Sequence, residues 1–69
     1  MNKSEMSLYL MKKVIEISHS EQITKSHAVD KIRRLYEPKG LTKAQQGVWY
    51  KTCNELQEEY KKIESLNSN

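Results

Sequence analysis

The residues of this sequence that could do chemistry are one cysteine, two histidines and nine acidic side chains. A cysteine acts as a nucleophile when a neighbouring base activates it, yet nothing in the pattern brings His19 or His27 to Cys53. Cys53 lies in an apolar helical repeat, where a small buried side chain is its ordinary role. Two histidines and one cysteine also lack the ligand spacing of a zinc site. We therefore expect neither a catalytic thiol nor a metal.

The acidic residues and glycines likewise give no pattern typical of an enzyme. The aspartate and glutamates lie mostly on polar faces of predicted helices, where no pair has the apolar surroundings that separate an acid from a base. With only Gly40 and Gly47, the chain has no phosphate-binding loop. A chain of 69 residues also builds a core too small for the usual substrate pocket. The sequence predicts a protein that is not an enzyme, with no cofactor and no small-molecule substrate.

The spacing of the apolar residues predicts three helices in one domain that spans residues 1–69. We place them over about residues 5–18, 24–36 and 42–66, because apolar side chains recur there every three or four positions. No segment alternates apolar and polar residues as a strand does. Residues 18–22 are polar and are expected to connect the first two helices. The predicted fold is all-α, a small three-helix domain with a long C-terminal helix.

Capping and turn residues set the limits of these helices. Ser4 and Thr24 are the expected N-caps of the first and second helices, and Thr42 begins the third with a capping box. Pro38 disfavours helical geometry before it, and Gly40 allows a tight reversal. The second and third helices are therefore expected to form an antiparallel hairpin.

The first predicted helix carries more apolar surface than one neighbour can cover. One stripe consists of Met6, Leu10, Val14 and Ile17, and a second stripe beside it consists of Leu8, Met11 and Ile15. At about 100° per residue, the two stripes together span about 200° of the helix circumference. The first helix is therefore expected to contact two things, either both other helices or one helix and a partner.

The third predicted helix is longer than the other two can cover, with about 37 Å against about 20 Å each. Its apolar stripe continues through Tyr60 and Ile63, and Leu66 lies at its edge. Unless the first helix shifts to cover them, these side chains are expected to meet another protein chain. Tyr9 and Tyr50 are expected to project away from the apolar stripes and are weaker candidates. The candidate partner-binding residues are therefore Tyr60, Ile63, Leu66, Tyr9 and Tyr50.

The net charge of +3 and the isoelectric point near 9.1 allow a second reading. The basic surplus gathers in and after the second helix, at Lys31, Arg33, Arg34, Lys39 and Lys43. These side chains could bind the phosphates of DNA or RNA in a helix-turn-helix, with the third helix meeting the bases. That helix is long for a recognition helix, however, and its four glutamates would repel a phosphate backbone. A solvated helix face explains the same charges.

The sequence also indicates where the protein acts. No apolar run approaches the roughly 18 residues needed to cross a bilayer, and the N-terminus lacks the features of a secretory signal. A lone cysteine fits a reducing compartment. We therefore expect a cytoplasmic protein without a membrane segment.

One short resemblance begins at the turn before the third helix. The run Gly40-Leu41-Thr42, followed by Leu56 and Tyr60, resembles the second helix of the small sporulation-type aspartyl-phosphate phosphatases, which are helical hairpins. Tyr50 and Asn54 stand where that family has a serine and an aspartate. The resemblance therefore does not extend to phosphatase activity.

A second resemblance joins the first and third helices. Residues 9–12, Leu41-Thr42 and Val48-Trp49-Tyr50 are similar to segments of the Hha/YmoA family of nucleoid-protein modulators. The interval between the segments is longer here, and Asn54 replaces an acidic residue. Both resemblances imply a small regulator that acts by protein contact.

The function predicted from the sequence is a small cytoplasmic interaction module of regulatory type. It is expected to bind a larger protein or a second copy of itself through the apolar surface of its helices. The alternative is a small basic regulator that binds DNA or RNA through the region of the second and third helices.

Overall fold

Among residues 1–67 the fold consists of three α-helices, which are α1 (Lys3–Glu21), α2 (Lys25–Leu35) and α3 (Lys43–Asn67). The computed structural model describes residues 1–67, and no strand occurs among them. The predicted all-α architecture is confirmed, and α2 and α3 pack closely as the expected hairpin. The molecule measures 41 × 22 × 17 Å, with a long dimension close to the length of α3, about 37 Å.

The first helix begins earlier than predicted because Asn2, rather than Ser4, is its N-cap. The Oδ1 atom of Asn2 accepts the Glu5 N–H at 2.9 Å, and the Asn2 N–H donates to Glu5 Oε1 at 3.0 Å. This reciprocal capping box satisfies two backbone amides at once. Ser4 could not form one, since the residue three positions later is Ser7.

The first helix also ends later than predicted, so residues 18–22 do not form the connection. The helix continues to Glu21, and Gln22 adopts the left-handed conformation at φ 54°. The Gln22 N–H donates to the Ser18 carbonyl and closes the last turn. The polar residues here form an exposed helical turn, because polarity alone does not stop a helix. His19 therefore lies within α1 and not in a loop.

The other predicted caps are confirmed. Thr24 caps α2, with its Oγ1 atom accepting the His27 N–H at 3.2 Å. At the start of α3, the Thr42 N–H donates to Gln45 Oε1 at 2.9 Å, and Thr42 Oγ1 accepts the Gln45 N–H at 3.2 Å. Between α2 and α3, Gly40 has φ +80°, a conformation that glycine adopts without strain. Local sequence signals therefore determine both of these helix starts.

The core lies where the three helices meet around Trp49, which is fully buried. The buried apolar side chains are Met6, Leu10, Val14, Ile17, Ala28, Val29, Ile32, Trp49 and Cys53. Tyr9 packs against this core, with its ring centroid 5.9 Å from that of Trp49, and its hydroxyl donates to the Tyr36 carbonyl at 2.9 Å. The expectation that Tyr9 projects away from the core is wrong, because the hydroxyl can bond a helix-end carbonyl while the ring packs inside.

None of the helices within residues 1–67 is long and apolar enough to cross a membrane.

Candidate interaction surface

The most exposed continuous apolar feature of α1 is a face that points away from the core. Leu8, Met11 and Ile15 are 57%, 46% and 62% exposed. At about 100° per residue they fall within about 60° of the helix circumference, about 140° from the buried stripe. We call these three residues the outer stripe. The apolar arc of α1 was expected to contact two things, and α1 packs against both α2 and α3. Within residues 1–67 the outer stripe nevertheless stays about half exposed.

Charged side chains line one edge of the outer stripe. Glu5 and Lys12 are exposed and lie within about one quarter of a turn of it on the same side. Lys12 makes no ion pair with any residue from 1 to 67. Glu5 uses its Oε1 atom in the capping box. On the opposite side Ser7 lies nearest the stripe, and the charged Lys3 and Glu21 further round are paired within the fold, with Glu55 and Lys31. Ser4 and Ser18 lie in line with the stripe itself.

The C-terminal half of α3 was expected to extend beyond the other two helices unless α1 covered it, and the structure shows contacts with α2 as far as Glu64. The N-terminus of α2 covers it: Glu64 Oε2 accepts the Ser26 N–H at 3.1 Å, and Glu64 Oε1 accepts the Ser26 hydroxyl at 2.5 Å. A carboxylate at a helix N-terminus satisfies a free amide and is favoured by the helix dipole. The alternative considered from sequence was that α1 reaches this end, and Ser18 of α1 does line a groove together with Tyr60 and Ile63.

Tyr60 is a residue in the C-terminal half of α3 that the rest of the fold partly covers. It is half-buried, it packs against the core, and burial raises the pKa of its phenol. The Lys25 ammonium lies 5.8 Å from the centre of its ring, within the range of a cation–π contact. Tyr60 therefore contributes mainly to the fold, and only part of its ring is available to a partner.

Ile63 next to this contact and Leu66 beyond it stay exposed, at 51% and 77%. Beside them is a groove of about 350 Å³, with Ile23, Tyr60 and Ile63 among its apolar walls and Lys25 at its rim. We call it the α3-end groove. Of the residues expected to bind a partner, the structure brings Tyr60 and Ile63 together here, while Leu66 lies further along the helix.

Tyr50 is the remaining candidate. It lies on α3, apart from both the outer stripe and the α3-end groove. It is 45% exposed, as expected from its position off the apolar stripe. Hydrogen bonding to the Glu37 carboxylate, together with the negative charge of that group, raises the pKa of Tyr50.

Most of the basic residues proposed to bind phosphates are already paired inside the protein. Lys31 forms an ion pair with Glu21 across α1 and α2. Arg33 and Arg34 both bind Asp30, with Arg34 Nη2 at 2.9 Å from Asp30 Oδ2. Lys39 and Lys43, the other two, are exposed. Ion pairs of this kind offset local positive charge and reduce the attraction to a phosphate backbone.

Arg33 has a structural role that the sequence did not reveal. Its Nη1 atom donates to Asn54 Oδ1 at 2.9 Å and to Gln57 Oε1 at 3.0 Å, which joins α2 to α3. The solvent-facing surface of α3 carries carboxylates as well as lysines. Glu55, Glu58 and Glu59 surround a shallow depression of about 490 Å³ on that helix.

The one thiol is fully buried, as predicted. Burial raises the pKa of Cys53 to about 12; Arg33 lowers it, and Glu37 raises it further. A thiol with such a pKa is almost entirely protonated at neutral pH and is a poor nucleophile. Among residues 1–67, no group of three or more His, Cys, Asp or Glu side chains could hold a metal ion.

No family model, no curated protein and no solved structure matches this chain. The interpretation of the outer stripe and the α3-end groove as binding surfaces is therefore based on the geometry and chemistry of this molecule.

Proposed function

We propose that the protein is a small regulatory interaction module of the cytoplasm that binds a protein partner through the outer stripe of α1. The observation that supports this proposal is the exposure of three large apolar side chains, Leu8, Met11 and Ile15, on one helix face opposite the core. Contiguous apolar surface bordered by charge is typical of protein-binding sites.

The energetics of the outer stripe favour a partner. Full burial of a large apolar side chain stabilises by about 1.5–3 kcal/mol relative to full exposure. Because these side chains are about half exposed, each would contribute about half of that amount in an interface. The helix that carries them is held by its capping box and by the core, so little conformational entropy is lost on binding.

The α3-end groove is a second contact region within the same proposal. Ile63 and Leu66 are open to solvent there, and Tyr60 contributes its accessible edge. Tyr50 offers an exposed aromatic ring elsewhere on α3. Tyr9 is a poorer contact than the sequence indicated, since its ring and hydroxyl are used within the fold.

The DNA- or RNA-binding alternative has weaker support. Lys31 is paired with Glu21, and Arg33 and Arg34 share the carboxylate of Asp30. The exposed cations of the predicted set are Arg34, Lys39 and Lys43. Binding to nucleic acid at low salt that falls steeply as salt is added would favour this alternative over a protein partner.

The proposal is tested with the double substitution Leu8→Gln and Ile15→Gln, which keeps the helix and removes two apolar contacts. We expect it to abolish self-association, measured by the mass in solution, or capture of a partner from host lysate. Helicity by circular dichroism should stay unchanged, because both side chains lie outside the core.

The matched control is Leu35→Gln, since Leu35 is 65% exposed on α2, outside the outer stripe. It should leave association unchanged. If the double variant associates as well as the wild type, the outer stripe is not the binding surface and the proposal is wrong.

A further inference from the structure

We infer that the outer stripe binds the same stripe of a second copy of this chain, with the two α1 helices antiparallel. This inference rests on the function proposed above and specifies its partner. It is carried by the way apolar and charged residues are arranged around the stripe.

The apolar residues repeat with the spacing of a helix pair. Leu8, Met11 and Ile15 are three and four residues apart, and Ser4 and Ser18 continue the same spacing at either end. Such a repeat gives one continuous seam along a helix. A two-fold axis across two antiparallel seams can set Leu8 of each copy against Met11 of the other. Ile15 then faces the small Ser4, so that a large side chain meets a small one.

The charges at the edge of the seam select this alignment. In this alignment, Glu5 of one copy and Lys12 of the second copy differ in position along the helix axis by about 3 Å, because each residue rises by about 1.5 Å. The two-fold axis repeats the pair, so two ion pairs form. The capping box uses Oε1 of Glu5, and its second carboxylate oxygen can accept from Lys12. Exposed Lys12 has no other ion-pair partner among residues 1–67.

The competing alignments lack this complementarity. An antiparallel pair shifted by one heptad sets Ile15 against Met11 and brings the two Lys12 ammonium groups together. In a parallel pair, positions 5 and 12 face the opposite edge of the second helix, where Ser7 offers no charge. Only the first alignment therefore joins the apolar seam to two ion pairs.

The size of the chain also favours a second copy as the partner of the outer stripe. With 69 residues and a single cysteine, the protein cannot add a disulfide to its small core. Association with an identical copy is a usual way for so short a chain to bury more apolar surface.

The experiment uses two reciprocal charge changes on the full chain, Lys12→Glu and Glu5→Lys, with the dimer dissociation constant measured by sedimentation equilibrium. Alone, each variant sets like charges against each other and should weaken its dimer about tenfold. Mixed in equal amounts, they restore both pairs between unlike chains, so the wild-type dissociation constant should return. Circular dichroism checks that Glu5→Lys, which breaks the capping box, stays helical.

Lys51→Glu is the control, because Lys51 is exposed on α3 and the change in charge is the same. It should leave the dissociation constant unchanged.

Two results would overturn the inference: a wild-type chain that stays monomeric up to millimolar concentration, or a mixture of variants no tighter than each variant alone. A monomer whose capture of a host protein is lost on Leu8→Gln and Ile15→Gln would exclude the second copy and leave the proposed function standing. If those two changes alter neither mass nor capture, both proposals are wrong.

Discussion

Cys53 lies fully buried one helical turn after Trp49, on the face of α3 that the other helices cover. Burial keeps its sulfur protonated by raising the pKa of the thiol from 9.0 to about 12, although Arg33 acts in the opposite direction. This side chain is protected from reagents because it packs in the core. Its titration also has a consequence for stability, because the fold favours the thiol over the thiolate.

We predict that Cys53 reacts with a thiol reagent at about pH 8 at least a hundredfold more slowly in the folded protein than in urea, since burial and a raised pKa both suppress attack. The rate of alkylation, followed by mass spectrometry, measures this. Comparable rates in the two states would show that the thiol is accessible.

The raised pKa of Cys53 predicts that the stability of the fold decreases at high pH. The contribution of Cys53 is fully present below pH 9.0 and is lost as the pH rises towards 12, the pKa in the fold. The free energy of unfolding should therefore fall less steeply over this interval in Cys53→Ala than in the wild type. Parallel curves from urea unfolding would contradict this.

The helices are joined at their ends as well as through the core. Glu64 of α3 binds the N-terminus of α2 through Ser26, and Gln57 Nε2 donates to the Ser26 carbonyl at 3.0 Å. Arg33 joins the same pair of helices further along. These polar contacts hold the long C-terminal helix to a much shorter neighbour as far as Glu64.

We predict that Glu64→Ala lowers the free energy of unfolding by about 1–2 kcal/mol, because it removes two charge-assisted hydrogen bonds at a helix N-terminus. Amide hydrogen exchange should increase mainly in the last turns of α3. Glu58→Ala is the control, since Glu58 is exposed on the same helix. An equal loss of stability in both variants would mean that the Ser26 contact contributes nothing.

The molecule depends on a small core, with nine buried apolar residues from all three helices among residues 1–67. Trp49 is the largest of them and contacts the ring of Tyr9 on α1. Its Nε1 atom is buried without a hydrogen-bond partner among the described residues. A chain this short has little stability to lose, so a single core residue can decide whether it folds.

We predict that Trp49→Ala costs about 3–5 kcal/mol and leaves the domain largely unfolded at room temperature. Trp49→Phe should stay folded, because it keeps much of the ring and removes the unpaired N–H. Thermal unfolding by circular dichroism tests both, with Leu35→Ala as an exposed control that should change little. A cooperatively folded Trp49→Ala variant would show that the core does not depend on this residue.

Local signals made much of the fold predictable. Thr24 and the pair Thr42 and Gln45 cap their helices as expected, because a cap needs only residues three positions apart. The limits of α1 were missed, since Asn2 competes with Ser4 for the same role and polar residues near Ser18 continue the helix. Choices between nearby caps depend on small energy differences that the sequence pattern does not rank.

The sequence by itself determined the three helices, the hairpin of α2 and α3 and the buried place of Cys53, because apolar spacing and turn residues act over a few positions. The tertiary structure alone decided which apolar faces stay open. The two stripes of α1 look alike in the sequence, and only packing shows that the stripe of Leu10 is covered while the stripe of Ile15 is exposed. It likewise decided that Ser26 contacts Glu64 near the end of α3 and that Arg33 and Arg34 share the carboxylate of Asp30. Which faces meet depends on contacts between residues far apart in the chain, and the spacing along one helix does not contain that information.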